Sequence, residues 1–244
     1  MGPSRSIALQ TMSRTKHTVP RRIRAAKRVR APYEPRGYAD ESSRHLFARA
    51  LKESGIVPEV FPVAGRDQGP APLPRLIVKR PRSGCFHPAS KAEILELLRF
   101  FGEECIYGLR TIELLQSGRG YRGGEVLFGT LLVPGRIVLY EQPFSPWLLP
   151  GRLSAKEQEK VCRAGASVES IIETTQTIVS WPGDTLRDFM LFDVLMHEIG
   201  HHLLQHYKGK RRQRVARTTD HEAVAERFAM RCRLLYRGGV GTIR

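Results

Sequence analysis

Apolar residues recur along this chain at two spacings. One is the three-to-four step of a helical face, and it marks several segments. Over 40–54 the positions Leu46, Phe47, Ala50 and Leu51 form a stripe, with acidic and hydroxyl residues ahead of it and Gly55 behind. From 90 onward Ile94, Leu95, Leu97, Leu98 and Phe101 continue a second face; Ser90 and Glu93 have capping-box spacing, and Gly102 marks the stop. A third helix is predicted from about 186 to 207, apolar at Leu186, Phe189, Met190, Val194 and Leu195, behind the break Pro182-Gly183-Asp184-Thr185. A last helix is predicted over about 220–236, ahead of Gly238-Gly239. Ser154 and Glu157 point to a short helix, and 167–179 reads as another helical segment. Shorter apolar runs predict strands at 76–78 and near 109–115, 125–132 and 135–141. Between the last two, Val133-Pro134-Gly135-Arg136 suits a type II turn, so a hairpin is expected. Residues 56–74 are rich in Pro and Gly, and 142–153 in Pro. The mixture predicts an α+β domain over 81–244, preceded by a helix and Pro/Gly-rich linker over 38–80. No internal repeat is visible.

The balance of charge changes this picture at two places. Of a net +16, residues 1–37 carry ten Lys or Arg against one acid, and 208–217 carry six against none. The basicity therefore belongs to an arm and a loop, and the rest of the chain is nearly neutral. The arm, 1–37, is expected to be disordered. Either segment is a candidate for contact with nucleic acid. No apolar run reaches the ~18 residues of a spanning helix, so no membrane partner is expected. Cys85, Cys105, Cys162 and Cys232 lie at wide spacings with no CxxC pair. Free thiols in a reducing, cytoplasmic compartment are the simplest reading.

The chemistry is concentrated in His197-Glu198-Ile199-Gly200-His201. On a helix, positions i and i+4 share a face, so both imidazoles can address one metal ion. Glu198 stands beside them to handle protons, as in zinc peptidases. A catalytic zinc takes three protein ligands and keeps one position for water. The third ligand is expected from a carboxylate on the following helix. Glu222 and Glu226 are candidates on one face, and both cannot ligate without closing the site. One would bind the metal, and the other would accept the free ring N–H of a ligand histidine. Gly200, costly inside a helix by roughly 1 kcal/mol, signals close packing or ligand approach at that point. His221 is an alternative third ligand. Tyr207, His221 and Tyr236 are candidate oxyanion donors. His202 and His206 lie off the ligand face. Asp188 reads as a helix-start charge and Asp193 as a polar or supporting position. Trp147, Trp181 and Cys232 read as packing residues.

With Glu222-Ala-Val-Ala-Glu226-Arg-Phe-Ala behind the HExxH, the stretch 185–236 resembles the gluzincin-type metallopeptidases. Within that group it is most similar to the ImmA/IrrE family. The resemblance implies a minimal zincin-like domain, with a small, mostly antiparallel sheet packed on the HExxH helix. It implies one Zn2+ ion on His197, His201 and Glu222, with Glu198 as general base and Glu226, where that family has Asn, in the supporting place. The hairpin 125–141 would then offer the strand edge on which an extended substrate lies.

These readings point to a zinc-dependent endopeptidase acting on a protein or peptide, regulatory or DNA-associated. An SprT-like DNA-associated protease is the alternative enzyme; it needs a histidine as third ligand, and His221 is the candidate. A binding module on a peptidase scaffold, holding nucleic acid through 1–37 and 208–217, is the non-enzymatic alternative.

Overall fold

The computed structural model describes residue 53 and residues 73–117, 126–132, 134–171, 176–207 and 219–240. The arm 1–37, the loop 208–217, nearly all of the helix expected over 40–54 and most of the linker lie outside the described residues.

Two helices start where Ser and Glu stand three apart. The Ser90 hydroxyl accepts from the Glu93 N–H at 3.3 Å, and the Glu93 carboxylate accepts from the Ser90 N–H at 2.8 Å. This reciprocal cap opens α1, Lys91–Phe101, which Gly102 ends. Ser154 and Glu157 repeat the device at α3, Ala155–Arg163. Between them lies the short α2, Glu103–Ile106.

The main sheet has four strands: β1 (Arg75–Val78), β3 (Thr111–Leu115), β5 (Arg136–Tyr140) and β4 (Gly129–Leu132), in that spatial order. β3 pairs in parallel with β1 and β5, and only β4 runs antiparallel to its neighbour. This sheet is therefore mixed, where a mostly antiparallel one was expected. The helix α1 carries the chain back between β1 and β3, and such a crossover makes neighbours parallel. β1 precedes the boundary expected at 81, so the domain's sheet draws on residues ahead of that point. The hairpin between β4 and β5 forms as predicted, with Gly135 at φ 68° in its turn. β4 ends up at a sheet edge.

A second sheet joins β7 (Trp147–Pro150), β9 (Gln176–Ser180) and β8 (Ser167–Ile171), all antiparallel. Of the segment 167–179, expected to be helical, the described residues form β8 and β9 instead. Their Val, Ile and Thr content favours extended chain, and Thr177 and Val179 are buried while Gln176, Ile178 and Ser180 are less so, a period of two. A two-stranded ribbon, β2 (Cys85–Phe86) with β6 (Gln142–Pro143), completes the strands.

The predicted helix over 186–207 is continuous but not uniform. It comprises α4 (Thr185–Asp188), a π-helical segment (Phe189–Met196) and α5 (His197–Tyr207). The π segment is apolar except for Asp193, and its seven apolar residues are all buried. Its wider turn immediately precedes the HExxH, and π turns cluster at functional sites. The last helix, α6, spans Thr219–Val240 and runs past the Gly238-Gly239 expected to follow its end. One contiguous core joins Ile94, Leu97, Leu98 and Phe101 of α1 to Ile112, Leu114, Ile137 and Leu139 of the sheet and to Leu195, Ile199 and Leu203 of the long helix. Each such side chain contributes roughly 1.5–3 kcal/mol by leaving water. Phe128, Trp147, Trp181 and Phe189 form an aromatic cluster in it, so both tryptophans pack as expected. Among the described residues no helix is long and apolar enough to cross a membrane.

Candidate metal centre

The site is built where α5 meets α6. Gly200 allows the contact: a Cβ there would lie 3.1 Å from the Phe228 ring and 3.2 Å from the Ala225 Cα. Ala225 and Phe228 are both fully buried, so α6 is held against the HExxH by its own apolar face. Glu222, three residues before Ala225, is thereby brought over the two imidazoles.

The three donors converge. His197 Nε2 lies 3.1 Å from His201 Nε2 and 3.2 Å from Glu222 Oε2, and His201 Nε2 lies 3.3 Å from Glu222 Oε1. A tetrahedral ion with bonds of ~2.0–2.1 Å separates its ligand atoms by about 3.3 Å. The spacing and the donor set, two imidazoles and a carboxylate, thus fit one divalent cation. Burial works to raise the Glu222 carboxyl, but hydrogen bonds from His197 and His201 and the charge of both rings hold it far below the usual carboxylate range. The two histidines are 5% and 6% exposed, whereas the Glu222 side chain is 40% exposed, so the cluster opens on its carboxylate side.

Glu198 is fully buried, and its Oε2 accepts from the Leu131 N–H of β4 at 2.8 Å. In an antiparallel pair the N–H and C=O of one residue point the same way, alternately toward and away from the partner strand. Phe128 O accepts from Tyr140 N, so Phe128 and Thr130 face β5 while Leu131 faces the open edge. Glu198 is therefore anchored on that edge.

The other candidates separate. Glu226 shares the Glu222 face of α6, but its carboxylate pairs with Arg163 of α3 at 2.5 Å, in place of the expected histidine ring. Burial pushes its carboxyl up, and the Arg163 guanidinium, with smaller help from Lys160 and His197, holds it below the usual value. Tyr236 is ruled out as an oxyanion donor. Fourteen residues of helix place it roughly 21 Å beyond Glu222. There its hydroxyl donates to Glu96 and its ring packs on Phe100 and Phe192. His221 adjoins Glu222 on α6 but is not part of the cluster, whose third member is Glu222. The side chains of Tyr207 and His206 lie outside the described residues. His202 packs inward and bonds the Tyr107 carbonyl at 2.9 Å. Asp193 pairs with Arg233, and Asp188 with Arg187 and Arg237. Burial, set against Arg233, leaves the Asp193 carboxyl raised. Cys232 is core, and its thiol is pushed well up by burial. The four cysteines are free.

Sequence reasoning missed Arg163 and the Leu131 N–H. Neither carries a local signal: one is a charge on an exposed helix end, the other a backbone group. Comparison of the chain with family models, curated proteins and solved structures returned no match.

Proposed function

We propose that this protein is a zinc-dependent metalloendopeptidase of gluzincin type, most similar to the ImmA/IrrE family and built on a zincin-like domain. The convergence of His197, His201 and Glu222 at ligand spacing, with Glu198 next to it on a strand edge, carries the reading. His197, His201 and Glu222 would hold the ion. When bound, zinc supplies Lewis-acid polarisation of a carbonyl and lowers the pKa of water.

The remaining work falls to the chain. Glu198 accepts the proton of the attacking water and returns it to the leaving amine. Its bond to the Leu131 N–H sets the carboxylate beside the β4 edge, where an extended peptide would align as an added strand. The substrate is a protein or peptide, and the basic segments 1–37 and 208–217 would suit work near nucleic acid. An acidic third ligand favours this reading over an SprT-like protease, which needs a histidine there. The cytoplasm remains the expected compartment.

The test is Glu198→Gln. It keeps the shape of the side chain and its acceptor oxygen but removes the base. Zinc content measured by atomic absorption should stay at one ion per chain, while cleavage of a proteome-derived peptide mixture, read by mass spectrometry, should fall about 10²–10⁴-fold. Cleavage at the unaltered rate would refute the role of Glu198.

A further inference from the structure

Two carboxylates stand one turn apart on the same face of α6, and only one of them reaches the histidines. Glu222 contacts both rings, while Glu226 is drawn to Arg163, the last residue of α3. A third protein ligand with an open fourth position is the pattern of a catalytic zinc, whereas a fourth protein ligand gives the closed pattern of a structural one. Glu226, one turn on from Glu222 along the same face of α6, is the acid placed to make that change. Its helix is fixed by buried Ala225, Phe228, Ala229 and Cys232, so the backbone of Glu226 stays one turn from Glu222 and its side chain's choice of partner is what can change.

We propose that Arg163 is a positioning residue that holds Glu226 back from the metal centre and so keeps one coordination position open to solvent. The inference rests on the metal-binding reading above. Arg163 and Glu226 are each 47% exposed, and an ion pair so exposed adds little to stability. Its geometry is nevertheless secured from both sides. α3 is capped at Ser154 and pinned to the core by Val161, 1% exposed. The planar guanidinium fork also holds a carboxylate in a defined direction, which an ammonium does not. A dication at His197, His201 and Glu222 would attract Glu226, and Arg163, with a smaller pull from Lys160, is the competing cation.

The experiment compares full-length wild type, Arg163→Met, Glu226→Gln and the double variant. Zinc affinity is measured by chelator competition, and coordination by the absorption spectrum of the Co2+ form. Arg163→Met should bind zinc about tenfold more tightly or better, on the scale that ligand surroundings command. Its cobalt spectrum should change as a carboxylate replaces solvent. Adding Glu226→Gln should return both readings to wild type. Glu226→Gln alone should leave both unchanged. Equal affinity and spectrum in wild type and Arg163→Met would overturn the proposal, as would loss of zinc from Glu226→Gln alone, which would make Glu226 already a ligand. Where Arg163→Met does not fold, Arg163→Gln takes its place in the same comparison. A wild-type chain that takes up neither ion sinks the metal reading and this inference with it.

Discussion

The helix α6 meets the long helix at two polar places, and the two are built on opposite rules. Toward its C-terminal half Arg233 reaches Asp193 and Arg237 reaches Asp188. Each acid there has a guanidinium from the chain, and the Asp193–Arg233 pair is mostly buried, at 18% and 14% exposed. Toward its N-terminal half Glu222 meets two imidazoles, and three lone-pair donors crowd within 3.3 Å of one another. One end balances its charge internally and fastens the helices. The other gathers donors that only protons or a cation can satisfy together. A polar cluster whose stoichiometry the chain itself completes serves the fold, and one left to be completed from outside is the candidate for binding an ion.

The contrast can be broken first at the metal end. Glu222→Ala should weaken zinc binding by more than the ~100-fold typical of losing an outer partner, with a smaller loss of stability in the metal-free chain, where the carboxylate pairs with both imidazoles. Chelator competition and denaturant titration check the two halves of that expectation. The opposite substitution is Arg233→Met. It leaves the Asp193 carboxylate without its guanidinium, at a cost of about 3 kcal/mol in unfolding free energy, while zinc affinity holds. A variant that lost zinc and kept its stability would reverse the assignment of the two ends. Gly200→Ala sharpens the boundary between them. The helix gains ~1 kcal/mol in propensity, but the Cβ presses on Ala225 and Phe228, and overpacking of that kind costs 1–3 kcal/mol. A net loss of about 1 kcal/mol is expected, read from the thermal midpoint. The smallest effect is in acid. Glu222 and Glu226 titrate below the ordinary carboxylate value of 4.5, so what they contribute is complete above that pH and fades as pH falls beneath it. Asp193, raised from 3.8, acts in the other direction, since its ionised form is the less favoured one in the fold. In the metal-free chain Glu222→Gln should flatten the acid limb of the stability profile and Asp193→Asn should steepen it.

How far the sequence could be read follows from the range of each interaction. His197 and His201 were legible because a helix repeats locally, and Glu222 because α6 follows closely and presents one face. Ser90 and Ser154 announced their helices through partners three residues away. Glu198 to Leu131 and Arg163 to Glu226 span 67 and 63 residues, and no local period encodes them. Tyr236 was misplaced because nearness in sequence is not nearness in space along a rigid rod. β8 and β9 were read as helix because the charged and hydroxyl residues among their β-branched ones obscured the alternation. The parallel pairing of β1 with β3 depends on how the chain crosses over, which the strand pattern does not state.

The bond from Glu198 to the Leu131 N–H reaches past the proposed role of Glu198 as a base. A bare strand margin invites copies of a protein to join edge to edge, and natural folds blunt such margins with charge. Here the residue assigned to proton handling also plugs one donor of that margin with an anion. Truncating it would therefore do more than remove the proposed base: it would leave a sticky seam, and colloidal behaviour would change with it.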